Sequence, residues 1–278
     1  MNEHMVKPTN EEILNAINDS GYLFEQEIAS ILESNDFYVY PNDAFIDIDE
    51  EKSREIDVMA YKRFYHDERK KISISVRILC ECKNNTNPFV FVCRNKNSAD
   101  NSYSPPNFLF PLNEYRKSIN QEPGSFRIIT GFQYYNLETV FPYSIIDTKA
   151  TQFCKIIRKG KDWSAFHDGI YESLLIPMIK CLEFNKKSDS DIDKYNDWNN
   201  FTVYFPIIVL NSDLFSINTH IDAKIINKID SISFTREINS KHYKDKYLVD
   251  FVTKDGLQNY IDKNIISFMD KFVRIVTK

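Results

Sequence analysis

The stretch "ISISVRILCECK" (72–83) decides how the fold is read. Its residues alternate: Ile72, Ile74, Val76, Ile78, Cys80 and Cys82 fall on one face of an extended chain, Arg77, Leu79, Glu81 and Lys83 on the other. This predicts a strand whose last residues carry a carboxylate and an ammonium side by side. Upstream, "REIDVMAYKRF" (54–64) alternates as well, with Ile56, Val58 and Ala60 one way and Glu55, Asp57, Met59 and Tyr61 the other. The charged "HDERKK" (66–71) between them is expected to be a solvated turn, making the two strands an antiparallel pair.

Working outward, Thr9 and Glu12 have capping-box spacing and open a short helix that Ser20-Gly21 interrupts. A second helix is expected from about Tyr22 to Ser34, with Phe24, Ile28, Ile31 and Leu32 at helical spacing. "FYVY", broken by Pro41, reads as a strand. Residues 94–107 are polar with a Pro pair and read as a long loop. Helical patterns follow at about 109–120, 147–159 and 165–184, and "KKSDSDIDKYNDWNN" (186–200) reads as a linker. The strands "FTVYFPIIVL", "SISFTREI" and "KYLVDFV" lead into a terminal helix near 255–275. The expected class is α/β, a mixed β-sheet core flanked by helices over 1–185 with a C-terminal α/β extension over 186–278 that could share the same domain.

Composition narrows the function classes. At 278 residues, 42% hydrophobic and 27% charged, the chain has the balance of a folded globular protein. It has no run of about 18 apolar residues and no basic-then-apolar leader, so a cytoplasmic protein without a membrane span is expected. The five cysteines (80, 82, 93, 154 and 181) lack paired C-x-x-C spacing and read as buried thiols. Net charge is −5, but residues 1–60 hold 15 acidic against 3 basic residues, and the remainder is basic in balance. No phosphate-cradling glycine loop and no paired-histidine ligand spacing is present.

The acidic region contains a candidate site. Period two puts Glu81 and Lys83 on one strand face, and Asp57 lies on a chosen face of the neighbouring strand. On the second helix, Leu32 and Ala29 lie roughly 20° and roughly 40° round from Glu25, so Glu25 borders the apolar arc and can point inward. Three carboxylates and a lysine are costly to bury together unless a cation neutralises them. Oxygen ligands without histidine favour Mg²⁺ or Mn²⁺.

Glu25, "EIDV" with Asp57, and "ECK" with Glu81 and Lys83 resemble the signature of the PD-(D/E)xK nuclease superfamily, the restriction-endonuclease-like fold. "GYLFEQEIASILESNDFYVY" is similar to its first helix and strand, where a glycine precedes the metal-site glutamate by four residues. Ile56 stands where the motif's proline would be. The resemblance covers residues 21–83 and implies Asp57 and Glu81 as metal ligands, Lys83 as the catalytic lysine and Glu25 as a further ligand, direct or through water. "DTKATQFCKIIRKG" (147–160) resembles the helix after the core strands, which makes Gln152 a supporting candidate; Glu55 is another, by its shared face with Asp57.

The implied function is a metal-dependent endonuclease acting on DNA, serving prokaryotic anti-phage defence or restriction. The alternatives are a non-catalytic nucleic-acid-binding or assembly subunit of a defence complex and an effector inactive until a partner protein releases it. Dimerisation would suit the cutting of both strands of a duplex. Candidate phosphate contacts are Arg158, Lys159 and Lys161, beside Trp163, together with Arg116 and Lys117.

Overall fold

The structure, a computed structural model, describes residues 7–100, 102–118, 124–193, 197–220 and 224–278. Two helices open it, α1 (Asn10–Ser20) and α2 (Tyr22–Ser34), followed by β1 (Tyr38–Asp47), β2 (Lys52–Asp67), β3 (Ile72–Lys83) and β4 (Phe89–Asn95). The next segment is short-pieced: β5 (Phe108–Leu109), β6 (Arg116–Ser118), β7 (Phe126–Ile128), α3 (Gly131–Tyr134) and α4 (Pro142–Ile145). Then come β8 (Thr148–Lys159), β9 (Asp162–Phe166), α5 (Ile170–Asp193), β10 (Asn199–Leu210), β11 (Leu214–Asn218), β12 (Ile226–Lys228), β13 (Ser231–Asn239) and β14 (Lys244–Thr253). The chain finishes on α6 (Leu257–Tyr260), a π-helical turn (Ile261–Ile266) and α7 (Ser267–Val276).

Among the described residues one twelve-stranded mixed sheet organises all but the separate β6–β7 ribbon, in the order β1-β2-β3-β10-β14-β13-β8-β4-β11-β12, with β5 beside β10 and β9 beside β8. β10 occupies the middle because its apolar run is nearly continuous, as a strand covered on both faces requires. It runs parallel to β3 from Ile72 opposite Asn199 to Lys83 opposite Leu210. Strands from before and after residue 186 therefore interleave in a single sheet. Helices cover both faces. α2, α6 and α7 pack with Val58, Ala60, Ile78 and Cys80, whereas α5 packs on the other face with Met59, Leu79, Tyr204 and Ile208. Among the described residues no helix is long and apolar enough to cross a membrane.

Several local expectations hold. Thr9 and Glu12 form a capping box, α1 stops at Gly21, and β2 and β3 pair antiparallel. Four of the five free cysteines are buried, with Cys154 half-buried. Three segments differ. The helix expected at 147–159 is replaced by strand β8 over Thr148–Lys159, because pairing with β4 and β9 on either side satisfies its backbone. The helix expected at 109–120 is replaced by the short strands β5 and β6 around Pro111, its last two residues lying outside the described residues. The expected linker begins inside α5, which continues to Asp193; residues 194–196 lie outside the described residues and β10 starts at Asn199. Asp189 explains that continuation. It accepts two 2.8 Å hydrogen bonds from Arg77 and one of 2.6 Å from the Tyr204 hydroxyl, tying a polar helical turn to β3 and β10.

A buried ion cluster pins α5 at its middle. Asp47, fully buried at the end of β1, accepts hydrogen bonds from Lys180 at 2.8 and 2.9 Å and from Arg54 at 2.6 Å. Burial alone would raise the Asp47 pKa, but these bonds and the backbone N–H groups of Asp49 and Glu50 hold it below the usual value.

Candidate active site at the β2/β3 fork

Pairing between β2 and β3 runs from Asp67 opposite Ile72 to Val58 opposite Cys80 and goes no further. Beyond that point β2 follows β1 alone and β3 follows β10 alone, so the two strands part like a fork. The parting is visible in the core. Ile56, expected beside Val58, packs instead with Phe45 and Met59 on the α5 face. Asp57 sits in the crotch and takes over the lost ladder bond: its carboxylate accepts a 2.6 Å hydrogen bond from the Cys82 backbone N–H. That bond fixes the side chain relative to the end of β3.

Glu81 and Lys83 stand on the other arm, held by the unbroken β3–β10 register. Lys83 Nζ donates to Glu81 Oε1 at 2.5 Å, and both are part-buried, at 27% and 16% side-chain exposure. Glu25 comes from α2, which packs on the opposite sheet face, so it reaches this group round the strand end. Gly21 makes the approach possible. Its φ of +89° turns the chain from α1 into α2, and a Cβ there would meet Asn84 Cβ at 3.5 Å and Glu25 Oε1 at 3.8 Å. The Asn84 side chain in turn donates to Asn18 O at 2.7 Å, strapping the end of β3 to α1.

The three carboxylates influence one another. Burial first, then repulsion from Glu81, raises the Asp57 pKa from 3.8 to about 6, with the Cys82 N–H opposing the shift and Glu25 adding to it. Glu25 is likewise raised, by burial and then by Glu81, with Lys83 opposing. Asp57 and Glu25 thus share an environment short of positive charge. Among the described residues no three His, Cys, Asp or Glu side chains stand close enough together, as placed, to hold a metal ion. The donor chemistry nevertheless fits a hard divalent cation: three oxygen donors from three elements, two with pKa values raised partly by the third.

Lys155 is a residue that sequence reading did not single out. It lies on β8 opposite Phe89, with its ammonium 5.4 Å from that ring. Phe89 follows closely on the end of β3, and Lys155 feels Lys83 strongly enough that burial, followed by this like charge, lowers its pKa. It makes no ion pair among the described residues. Its place two residues beyond Phe153, on the same strand face, carried the signal once residues 148–159 are taken as a strand.

The remaining candidates make no hydrogen bond or ion pair with this group among the described residues. Gln152 is exposed on strand β8, opposite Val92, and alternates away from buried Phe153, which removes the helical support role expected for it. Glu55 is exposed across from Ala44. Arg158 and Lys159 occupy the exposed end of the β8–β9 hairpin, with Lys161 in its turn and Trp163 opposite Arg158. Arg116 pairs with Glu114 and stacks 4.1 Å over Phe126 on the separate β6–β7 ribbon, where Lys117 lines a small cavity with Arg127. Comparison with protein-family models, with curated proteins and with solved structures gave no match.

Proposed function

We propose that this protein is a metal-dependent nuclease that hydrolyses phosphodiester bonds, in DNA, at the β2/β3 fork. The observation that carries the reading is the convergence of Glu25, Asp57, Glu81 and Lys83 from three separate elements, with the pKa values of Asp57 and Glu25 raised by burial and by the neighbouring Glu81 charge. A surface-charge account leaves that convergence unexplained, because isolated surface carboxylates keep ordinary pKa values. The architecture is compatible with a restriction-endonuclease-like core. α2 leads into the β1-β2-β3 meander, and α5 crosses over to β10, parallel to β3.

Asp57 and Glu81 would hold Mg²⁺ or Mn²⁺, with Glu25 as a third donor, direct or through water. A divalent cation bound there would polarise a phosphoryl oxygen and acidify a water molecule. The chain's own groups supply the positioning. The Cys82 N–H keeps Asp57 aimed across the fork, and Glu81 keeps the Lys83 ammonium at the mouth of the site. From there the Lys83 ammonium can orient the attacking water or stabilise negative charge developing on phosphorus-bound oxygens. Lys155 adds a second positive group on the approach, where a phosphate would meet it.

The test is incubation with supercoiled plasmid and single-stranded DNA in Mg²⁺ or Mn²⁺, beside EDTA and beside Lys83→Ala. Cleavage by the intact protein with metal, absent from both controls, is the expected result. A folded protein that binds DNA but cuts nothing under these conditions would replace the nuclease with a binding subunit.

A further inference from the structure

β1 is the outer strand of the sheet, and its first half presents aromatic residues to solvent. Tyr38 and Tyr40 are 69% and 50% exposed. Tyr38 stands directly opposite Tyr61 on β2, and Tyr40 opposite Met59, so the three tyrosines lie on one face. They line a shallow groove of about 470 Å³ with Asp36, Lys62 and Arg63. Arg63 is exposed, donates to the Tyr61 hydroxyl at 3.4 Å, and has no acidic partner among the described residues. Arg77 lies over the Tyr61 ring at 5.7 Å.

Exposed tyrosines on an outer strand could serve pairing with a second chain, but β1 is poorly suited to it. Pro41, lacking an N–H, interrupts its hydrogen-bonding edge immediately after Tyr40, a device that blunts strand addition. What remains is an exposed aromatic surface with a guanidinium that has no acidic partner among the described residues. Rings supply stacking area for bases of any sequence, and a cation beside them supplies the phosphate contact.

We propose that the Tyr38–Tyr40–Tyr61 face, flanked by Arg63, is a stacking platform for the unpaired bases of a single-stranded nucleic acid. This deepens the nuclease reading and rests on it for the role of the bound strand. Tyr61 lies four residue steps along the strand from Asp57, about 13 Å, or about four nucleotides at stacked spacing. A strand held on the platform therefore places a phosphodiester within reach of the fork, which selects single strands, flaps or frayed ends over intact duplex.

The experiment is fluorescence anisotropy of labelled oligothymidylate with wild type, Tyr38→Ala, Tyr40→Ala and Tyr40→Phe in EDTA, where no cleavage can occur. Each alanine variant should bind between about five-fold and about a hundred-fold more weakly, the range for a lost stacking partner. Tyr40→Phe should bind as wild type does, and binding to a duplex should hardly change among all four. Melting temperatures near wild type confirm intact folds. The platform is refuted if wild type does not bind oligothymidylate, if alanine variants bind it equally, or if sedimentation shows a dimer that Tyr40→Ala dissociates. Because binding is read without metal, its failure is separable from failure of the nuclease: cleavage with unchanged Tyr→Ala binding sinks the platform alone, and tyrosine-dependent binding without cleavage sinks the nuclease alone.

Discussion

Replacing Asp57 by Asn keeps the acceptor for the Cys82 N–H but removes a charge that burial, Glu81 and Glu25 all disfavour. The native pKa of about 6 lies above the ordinary 3.8, so folding favours the protonated acid. Its contribution to stability is therefore complete below about pH 4 and is lost as pH rises through about 6. At about 1.4 kcal/mol per pKa unit the ceiling on the penalty at neutral pH is ~3 kcal/mol, and solvent at the open fork reduces this to ~1–2 kcal/mol. With ~2–4 °C of melting temperature per kcal/mol for a chain of this size, Asp57→Asn should melt roughly 3–6 °C above wild type at pH 8 in EDTA. At pH 4 the two should melt together. Thermal unfolding followed by circular dichroism at both pH values decides it. A variant no more stable than wild type at pH 8, or one with the same advantage at pH 4, would show that the fork carries no electrostatic strain.

Other perturbations separate site from scaffold. Lys180→Ala leaves the fully buried Asp47 carboxylate with only Arg54 and two backbone N–H groups and should cost ~2–3 kcal/mol in urea unfolding, against a far smaller effect for the exposed Lys161→Ala. Because the Asp47 pKa is depressed, its stabilisation is present above the ordinary carboxylate range and is lost as acid drives the pH down through its folded value; the Lys180→Ala deficit should shrink there. Gly21→Ala forces an L-residue into φ +89° and should destabilise by ~1–2 kcal/mol, measured by denaturant titration. Lys155→Gln should raise KM for a DNA substrate about ten-fold with little change in melting temperature, reflecting a phosphate contact of about 1 kcal/mol or more. An unchanged KM would remove Lys155 from the site.

The fork shows where sequence reading works and where it stops. Alternation in 54–64 and 72–83 was sufficient for the antiparallel pair, and helical spacing was sufficient for α2 and its buried Phe24, Ile28 and Leu32. Alternation assumes that the pair stays together. Where β2 leaves β3, Ile56 changes core and Asp57 becomes a ladder substitute, a tertiary event with no local signature. The strand β8 misleads for a related reason. "TKATQFCKIIRK" spaces its lysines and apolar residues ambiguously, and the neighbours that settle it, β4 and β9, are set by long-range pairing. With β8 taken as a helix, Gln152 gained weight and Lys155 lost it. Likewise the Asp- and Ser-rich 186–193 reads as linker until Arg77 and Tyr204, distant in sequence, are seen to receive Asp189.

The most direct test of the cation site is calorimetric titration of Mn²⁺ into metal-free wild type, Asp57→Asn and Glu81→Gln. The fork account predicts saturable binding to wild type that both substitutions weaken at least ten-fold, with all three proteins folded. Binding that neither substitution alters, or none in a folded wild type, would contradict it.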